Sequence, residues 1–341
     1  MTFQQRLEKA WYGSDRWIFI FAPITLLFAL LSWMRRSAYR LGLFKSQKPS
    51  VPVIVVGNIS VGGNGKTPVV LAIAEYFQAQ GIKVGVLSRG YGGAQTQFPY
   101  RVNSQDPPAL VGDEPALLAR RLQAAVVIDP KRARGAAHLN HIGCNIIVCD
   151  DGLQHYALGR DIEWVVMDER QLGNGYLLPM GPLRETAAKL SSVNGIILNG
   201  QFECSLVGAS KHTMLLAAET FVNVADSSRT LSVAEFITRY TDVDALCAIG
   251  NPNRFFTTLA ELGVVVKQQH SFADHHSYVV EDVPKHAVVM TEKDAVKCHP
   301  FAHPDCWYLR VNAQLPELFY STLLDQVRAV EPTLTSNSNG I

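Results

Sequence analysis

The chain has 341 residues, 48% of them hydrophobic and 18% charged, which is enough apolar mass for two folded domains and too much for a disordered chain. Its net charge is +1, so no overall field draws it toward nucleic acid, and no nucleic-acid partner is expected. The six cysteines (Cys144, Cys149, Cys204, Cys247, Cys298, Cys306) include no C-x-x-C pair and read as reduced thiols of a cytosolic environment.

The first feature along the chain is the uncharged stretch Trp17–Met34. It sits at the short edge of a spanning helix, which needs about 20 residues. Pro23 predicts a kink. Trp17 and Trp33 bracket the stretch as interfacial aromatics do. Arg35, Arg36, Arg40, Lys45 and Lys48 follow, which predicts that the rest of the chain lies on the cytoplasmic side. Glu8 and Asp15 precede it and no small-residue cleavage site follows, so a cleaved leader is not expected. Residues 1–45 are read as an N-terminal membrane anchor with a basic flank, interfacial or barely spanning, that touches membrane lipids. A buried core helix is the alternative.

Next comes an apolar run, Val51–Gly57, then Ser60-Val61-Gly62-Gly63-Asn64-Gly65-Lys66-Thr67, then a helical pattern from Pro68 to Gln80. This is the strand–loop–helix setting of a phosphate-binding P-loop. Glycines let consecutive N–H groups face one anion, and the new helix adds its positive end. Lys66 can reach the outer phosphates and the Thr67 hydroxyl can ligate Mg²⁺. Ser60 stands where the usual pattern has Gly.

β-Branched runs then alternate with helical patterns. Strands are predicted at Val53–Val56, Val84–Leu87, Ala125–Ile128, Asn145–Cys149, Glu163–Met167 and Gly195–Leu198, with helices at Glu114–Gln123 and Lys131–Ile142. The alternation predicts a P-loop NTPase-like α/β domain over 46–205, a parallel sheet with helices on both faces. A second series predicts a smaller α/β domain over 206–330. Its strands are Met214–Val224, Ala245–Ile249, Val264–Lys267, Ala287–Met290 and Trp307–Val311, and its helices Arg254–Leu262 and Pro316–Val330. The polar tail 331–341 is expected to be disordered.

Several segments carry groups able to do chemistry. Ile146–Asp151 is an apolar strand ending in Asp150 and Asp151, the form of a Walker B element that faces Mg²⁺. Asp113, in Gly112-Asp113-Glu114-Pro115, is either a helix cap or a base for a hydroxyl nucleophile. Asp274-His275-His276 could pair an imidazole with a carboxylate. Arg89, in Ser88–Gly93, and Arg184, in Gly181–Glu185, could hold phosphate or sugar. Thr291-Glu292-Lys293-Asp294 superficially looks like a guanine-selecting motif, but its lysine is one place late, so GTP is not assigned. Cys298, His299, His303 and Cys306 fit no common zinc frame.

Taken in order, these blocks resemble the tetraacyldisaccharide 4′-kinase, or lipid A 4′-kinase, family. The likeness runs through Val56–Pro68, Ser88–Gly92, Val111–Pro115, Asp150–His155, Gly173–Gly175, Gly181–Glu185, Asp274-His275 and Thr291–Ala295, and spans nearly the whole chain. It implies ATP- and Mg²⁺-dependent phosphorylation of the 4′-hydroxyl of a lipid A disaccharide 1-phosphate at the cytoplasmic face of the bacterial inner membrane. It implies Asp113 as general base supported by His275, Lys66 on the nucleotide, and Thr67, Asp150, Asp151 and Glu114 on the metal side. Asn64 departs from the family's frequent Thr. No obligate protein partner is implied. The rival is a membrane-surface P-loop ATPase acting as a partner-binding switch, but that class carries a lysine where this loop has Val61.

Overall fold

The computed structural model of the protein describes residues 3–13, 15–206 and 209–334. Most of the expected disordered tail, 335–341, lies outside the described residues. The backbone forms a mixed α/β fold whose strand pairing is mostly parallel. It gathers into two compact units that interleave along the chain. Unit A holds the chain up to Arg89, Asp129–Leu215 and everything from Leu315; unit B holds Gly90–Ile128 and Leu216–Gln314.

In chain order, α1 (Phe3–Tyr12), α2 (Ala22–Arg40), β1 (Val53–Gly57), α3 (Lys66–Ala79) and β2 (Val84–Ser88) belong to unit A. In unit B follow β3 (Tyr100–Val102), α4 (Pro108–Val111), α5 (Asp113–Arg121) and β4 (Ala125–Ile128). Unit A resumes with α6 (Arg132–His141), β5 (Ile146–Asp150), β6 (Ile162–Asp168) and β7 (Gly195–Asn199), and β8 (Ser210–Asn223) runs out of it into unit B. Unit B then adds β9 (Thr230–Ser232), α7 (Val233–Arg239), β10 (Val243–Cys247), α8 (Pro252–Glu261), β11 (Val266–Ser271), β12 (Val288–Thr291), α9 (Glu292–Cys298) and β13 (Cys306–Gln314). Helix α10 (Glu317–Val330) returns to unit A.

The unit A strands are apolar on both faces, and β1, β2, β5 and β7 are buried at every position. That is the mark of a parallel sheet covered on both sides. The order is β2–β5–β1–β6–β7, with the first residues of β8 beyond β7. The register sets Val56 beside Asp150, Gly57 beside Val165, and Asp168 beside Asn199. The carboxyl ends of these strands therefore lie in one row, where open α/β sheets bind ligands. In unit B, β10 sits between β11 and β12, and β13 extends the parallel set. Its core stacks Phe221 on Phe236, ring centroids 3.9 Å apart, with Trp307 and Leu259 alongside.

The strand and helix expectations match the structure to within a few residues at each end. The expected kink at Pro23 is corrected. A 3-10 turn, Trp17–Phe21, leads into α2, and Pro23 lies in the first turn of that helix. There its missing N–H breaks no helical bond. Helix α2 turns one stripe toward unit A: Thr25 is buried, and Phe28, Ala29, Ser32, Arg36 and Tyr39 are half-buried at helical spacing. The Met180 N–H donates to Thr25 Oγ1 at 3.1 Å, and Arg36 Nη1 donates to Glu185 Oε2 at 3.1 Å, so both ends are tied down. The opposite face exposes Ile24, Leu26, Leu27, Leu30, Leu31, Trp33 and Met34. Leu26 is 71% exposed, so water solvates a continuous apolar ridge unless something apolar covers it.

Candidate functional site

The Ser60–Thr67 loop is shaped by amides from three asparagines. Asn58 Nδ2 donates to Asn64 Oδ1 at 3.0 Å, and Asn64 Nδ2 donates to Ser60 Oγ at 3.2 Å. Asn199, at the end of β7, donates to the Asn64 carbonyl at 2.9 Å. Ser60 and Asn64 are buried, whereas Gly62 and Gly63 form an exposed crest. Gly62 (φ 103°) and Gly65 (φ 89°) adopt positive φ, which an L side chain resists. Val61, Lys66 and Thr67 are half-buried at the crest and helix start. Arg170 braces the loop from outside, donating to the Gly63 carbonyl at 3.3 Å while its guanidinium is held by Asp168 at 2.6 Å. The polar groups turned inward are thus satisfied within the protein, and α3 starts at Lys66 behind an exposed glycine pair, the geometry that suits an anion.

Asp150 ends β5 beside β1, and Asp151 follows it in the turn. Asp150 is buried, and Arg132, itself buried, donates to its backbone carbonyl at 3.1 Å. Asp151 takes a left-handed conformation (φ 52°) and receives a two-pronged bond from Arg184, at 3.0 and 2.9 Å. Arg184 also reaches the Asn58 carbonyl at 3.1 Å and the Asn58 side-chain oxygen. Burial pushes the Asp151 carboxyl up, but Lys66, Arg184 and Arg132 together outweigh it and hold the pKa at about 2. Arg132 also acts on His155, which burial and then Arg132 and Arg89 press down to about 4, so its ring is neutral at physiological pH. Because Asp151 is depressed when folded, its contribution to stability is present above the unfolded value near 4 and fades as pH falls toward 2. Arg184→Ala should therefore lower Tm at pH 7, with the gap to the parent narrowing as pH drops below about 4. Thermal melts across pH check this, and a gap that does not change with pH contradicts it.

In unit B, Asp113 opens α5. It does not cap that helix, because Gly112 (φ 95°) occupies the cap position. Its carboxylate faces His275 instead, with Oδ2 3.0 Å from Nδ1, and Lys297 Nζ lies 3.8 Å away. Burial raises the Asp113 carboxyl, but the His275 hydrogen bond and then Lys297 and Lys293 bring it below the usual range, so it stays ionised. The Asp113 bond conversely raises His275. His275 has φ 62°, and its backbone N–H donates to Asp274 Oδ1 at 3.0 Å. A non-glycine residue in that region marks a constrained site.

The remaining candidates fall as follows. Glu114 Oε1 lies 3.5 Å from Lys293 Nζ in unit B. Arg89 is exposed just beyond β2 in unit A. Thr291 is the cap of α9, accepting from the Asp294 N–H at 3.2 Å, so Thr291–Asp294 is a helix start. Cys298 and Cys306 lie in an apolar cluster and His303 bonds the Pro284 carbonyl at 2.8 Å. Among the described residues no group of three His, Cys, Asp or Glu side chains is gathered to hold a metal. Sequence reasoning did not find Asn58, Asn199, Arg132, Arg170, Lys293 or Lys297 as members of these clusters. Only their places at strand ends and helix termini could have signalled them.

Comparison with known proteins gives the same direction. The sequence profile described as tetraacyldisaccharide-1-P 4′-kinase matches residues 17–328. A tetraacyldisaccharide 4′-kinase of Aeromonas salmonicida is 47% identical over 340 residues, covering 98% of this chain and 99% of the relative. One from Pseudoalteromonas atlantica is 48% identical over 311 residues, covering 91% and 100%. The crystal structure of LpxK from Aquifex aeolicus, in complex with ATP, superposes with a TM-score of 0.80 at 27% identity, covering 92% of this chain and 99% of that one. With a profile match across most of its length and relatives this similar end to end, the chain belongs to the tetraacyldisaccharide-1-P 4′-kinase family.

Proposed function

We propose that the chain transfers the γ-phosphoryl group of ATP to the 4′-hydroxyl of a tetraacyldisaccharide 1-phosphate, the reaction of its family, and that the residues above divide the work. The observation that carries the residue assignment is the Asp113–His275 pair, Oδ2 to Nδ1 at 3.0 Å, in a chain that also presents a phosphate loop. Asp113 accepts the proton of the 4′-hydroxyl as its oxygen bonds to the γ-phosphorus, and the bond to the bridging oxygen breaks to release ADP. His275 orients the carboxylate. The loop amides of Gly62–Gly65 and the Lys66 ammonium hold the triphosphate. Arg89 and Arg184 are assigned to substrate phosphate or sugar, and Arg184 would meet it by releasing its bonds to Asp151 and Asn58.

Mg²⁺ needs only one or two carboxylates beside phosphate oxygens. Asp150 and Asp151 at the end of β5, with Asp151 kept ionised, and the Thr67 hydroxyl are a donor set that fits it. When bound, the ion offsets the charge that builds on the transferred group. Glu114, the further carboxylate that the resemblance assigns to the metal side, pairs with Lys293.

The exposed ridge of α2 supports a membrane location. Both ends of the helix are bonded to unit A, so it lies along the protein with one apolar face outward, the arrangement of an interfacial helix. A substrate with acyl chains leaves a bilayer at a cost of about 0.8 kcal/mol per CH₂, so the enzyme meets it there. Arg35, Arg36 and Arg40 in the last turns of α2, with Lys45 and Lys48 beyond it, support the cytoplasmic face of the inner membrane as that location.

The test supplies purified protein with γ-labelled ATP, Mg²⁺ and disaccharide 1-phosphate lipid in detergent. Label in the lipid supports the kinase. Phosphate release that depends on a protein partner, with no labelled lipid, supports the switch. For the membrane contact, Leu27→Glu should reduce partition into anionic vesicles by about 10-fold or more, because a charge there opposes insertion. Unchanged co-sedimentation would remove α2 from the lipid contact.

A further inference from the structure

The His275 imidazole stands between two carboxylates. Asp113 Oδ2 lies 3.0 Å from Nδ1, and Asp274 Oδ2 lies 3.9 Å from Nε2. A neutral ring carries one proton; Asp113 is within hydrogen-bond reach of Nδ1, whereas Asp274, at 3.9 Å, attracts a proton on Nε2 only through its charge. If the proton sits on Nδ1, the ring donates to Asp113 and steadies it. If it sits on Nε2, the ring donates toward Asp274 and its Nδ1 lone pair opposes the Asp113 carboxylate.

Lys293 opposes the pull of Asp274. Its ammonium lies 3.2 Å from Asp274 Oδ1, 3.5 Å from His275 Nε2 and 3.5 Å from Glu114 Oε1. An ammonium can only donate, so Nε2 beside it must accept. The same ammonium occupies Asp274, the acid that would otherwise draw the ring proton. We infer that Lys293 is a positioning residue that fixes His275 as the Nδ1–H tautomer and so aims its proton at Asp113. The other groups facing this ring are Tyr91, whose ring centroid is 5.6 Å away, and Lys297 on the far side of Asp113. Neither touches Nε2 in the structure, so the choice falls to Lys293. Lys293 is 19% exposed and sits on α9, which Thr291 caps, so the helix holds it without needing its charge. The catalytic weight of the inference rests on Asp113 being the base, whereas the tautomer does not.

The experiment compares the parent with Lys293→Met, which keeps the side-chain length and loses the charge. Proteins labelled with ¹⁵N in the histidine rings are examined by long-range proton–nitrogen correlation at an alkaline pH where the rings are neutral. The parent should show His275 protonated on Nδ1, and Lys293→Met should show a proton on Nε2. Turnover should fall about 10-fold, with KM for ATP unchanged. Adding Asp274→Asn to Lys293→Met should restore most of the loss, because the rival acid is gone, and Lys293→Arg should keep both tautomer and rate. An Nδ1–H ring in Lys293→Met, or no rescue by Asp274→Asn, overturns the inference. The ring spectrum is read without turnover, so a failure of Asp113 as base shows separately, as full activity in Asp113→Asn.

Discussion

Asp113→Asn should lower kcat by about 10²–10⁴-fold while ATP affinity stays at the parent level. Asparagine keeps the shape of the side chain and can still accept the His275 N–H through its carbonyl oxygen. What it loses is the capacity to take a proton from an alcohol. The group lies in unit B, whereas the phosphate loop, Lys66 and Thr67 lie in unit A, which is why binding and turnover should separate. The change also removes a negative charge 3.8 Å from Lys297, so some loss of Tm is expected alongside. Calorimetric titration with ATP and steady-state kinetics on the same preparation check the pair of outcomes. Intact turnover would place the base elsewhere, and lost ATP binding would mean that the residue supports the fold rather than the reaction.

The second large effect concerns Gly65. Its φ of 89° is left-handed, and a Cβ there would sit 2.3 Å from Asn199 Nδ2 and 3.2 Å from Asn199 Cγ. Gly65→Ala must therefore adopt a conformation costing about 1–2 kcal/mol and displace the amide that holds the Asn64 carbonyl, worth about 1 kcal/mol more. An empty loop can relax out of that strain, but a loop closed on phosphates cannot. ATP affinity should fall by roughly 10²-fold, with little change in Tm. The origin is checked by a double mutant. Asn199→Ala also loosens the loop, but it removes the clash, so Gly65→Ala should cost less in that background than in the parent. Strict additivity would show that Asn199 and Gly65 do not meet.

The strands were legible because the parallel sheet writes itself plainly. Val53–Val56 and Ile146–Cys149 are apolar at every position, as only a strand covered on both faces is. The glycines before Lys66 marked the loop, since Gly62 and Gly65 take positive φ, which an L side chain resists. Local rules failed where the outcome depends on long-range contacts. Asp113 has the form of a helix cap in sequence, yet Gly112 takes the cap and the side chain turns to His275, 162 positions away. Thr291–Asp294 looked like a displaced nucleotide motif, and it is a capped helix start that delivers Lys293 and Lys297 to one carboxylate cluster. Asn199 ends a strand like many polar residues do, and only the fold shows that its amide reaches a loop 135 positions earlier. Pro23 was read for its power to break a helix, but its position in the first turn makes it a starter.

The amide lattice of Asn58, Asn64 and Asn199 has a bearing on chemical ageing. Asn64 precedes Gly65, a pairing in which the side-chain amide cyclises readily because glycine leaves the next peptide nitrogen uncrowded. In the native protein that amide is buried and bonded to Ser60 and Asn58, which keeps its carbon from the attacking nitrogen. An unfolded chain has no such restraint. Deamidation there would write an aspartate into the loop proposed to embrace a polyanion, so heat-damaged molecules that regain their shape would repel that ligand.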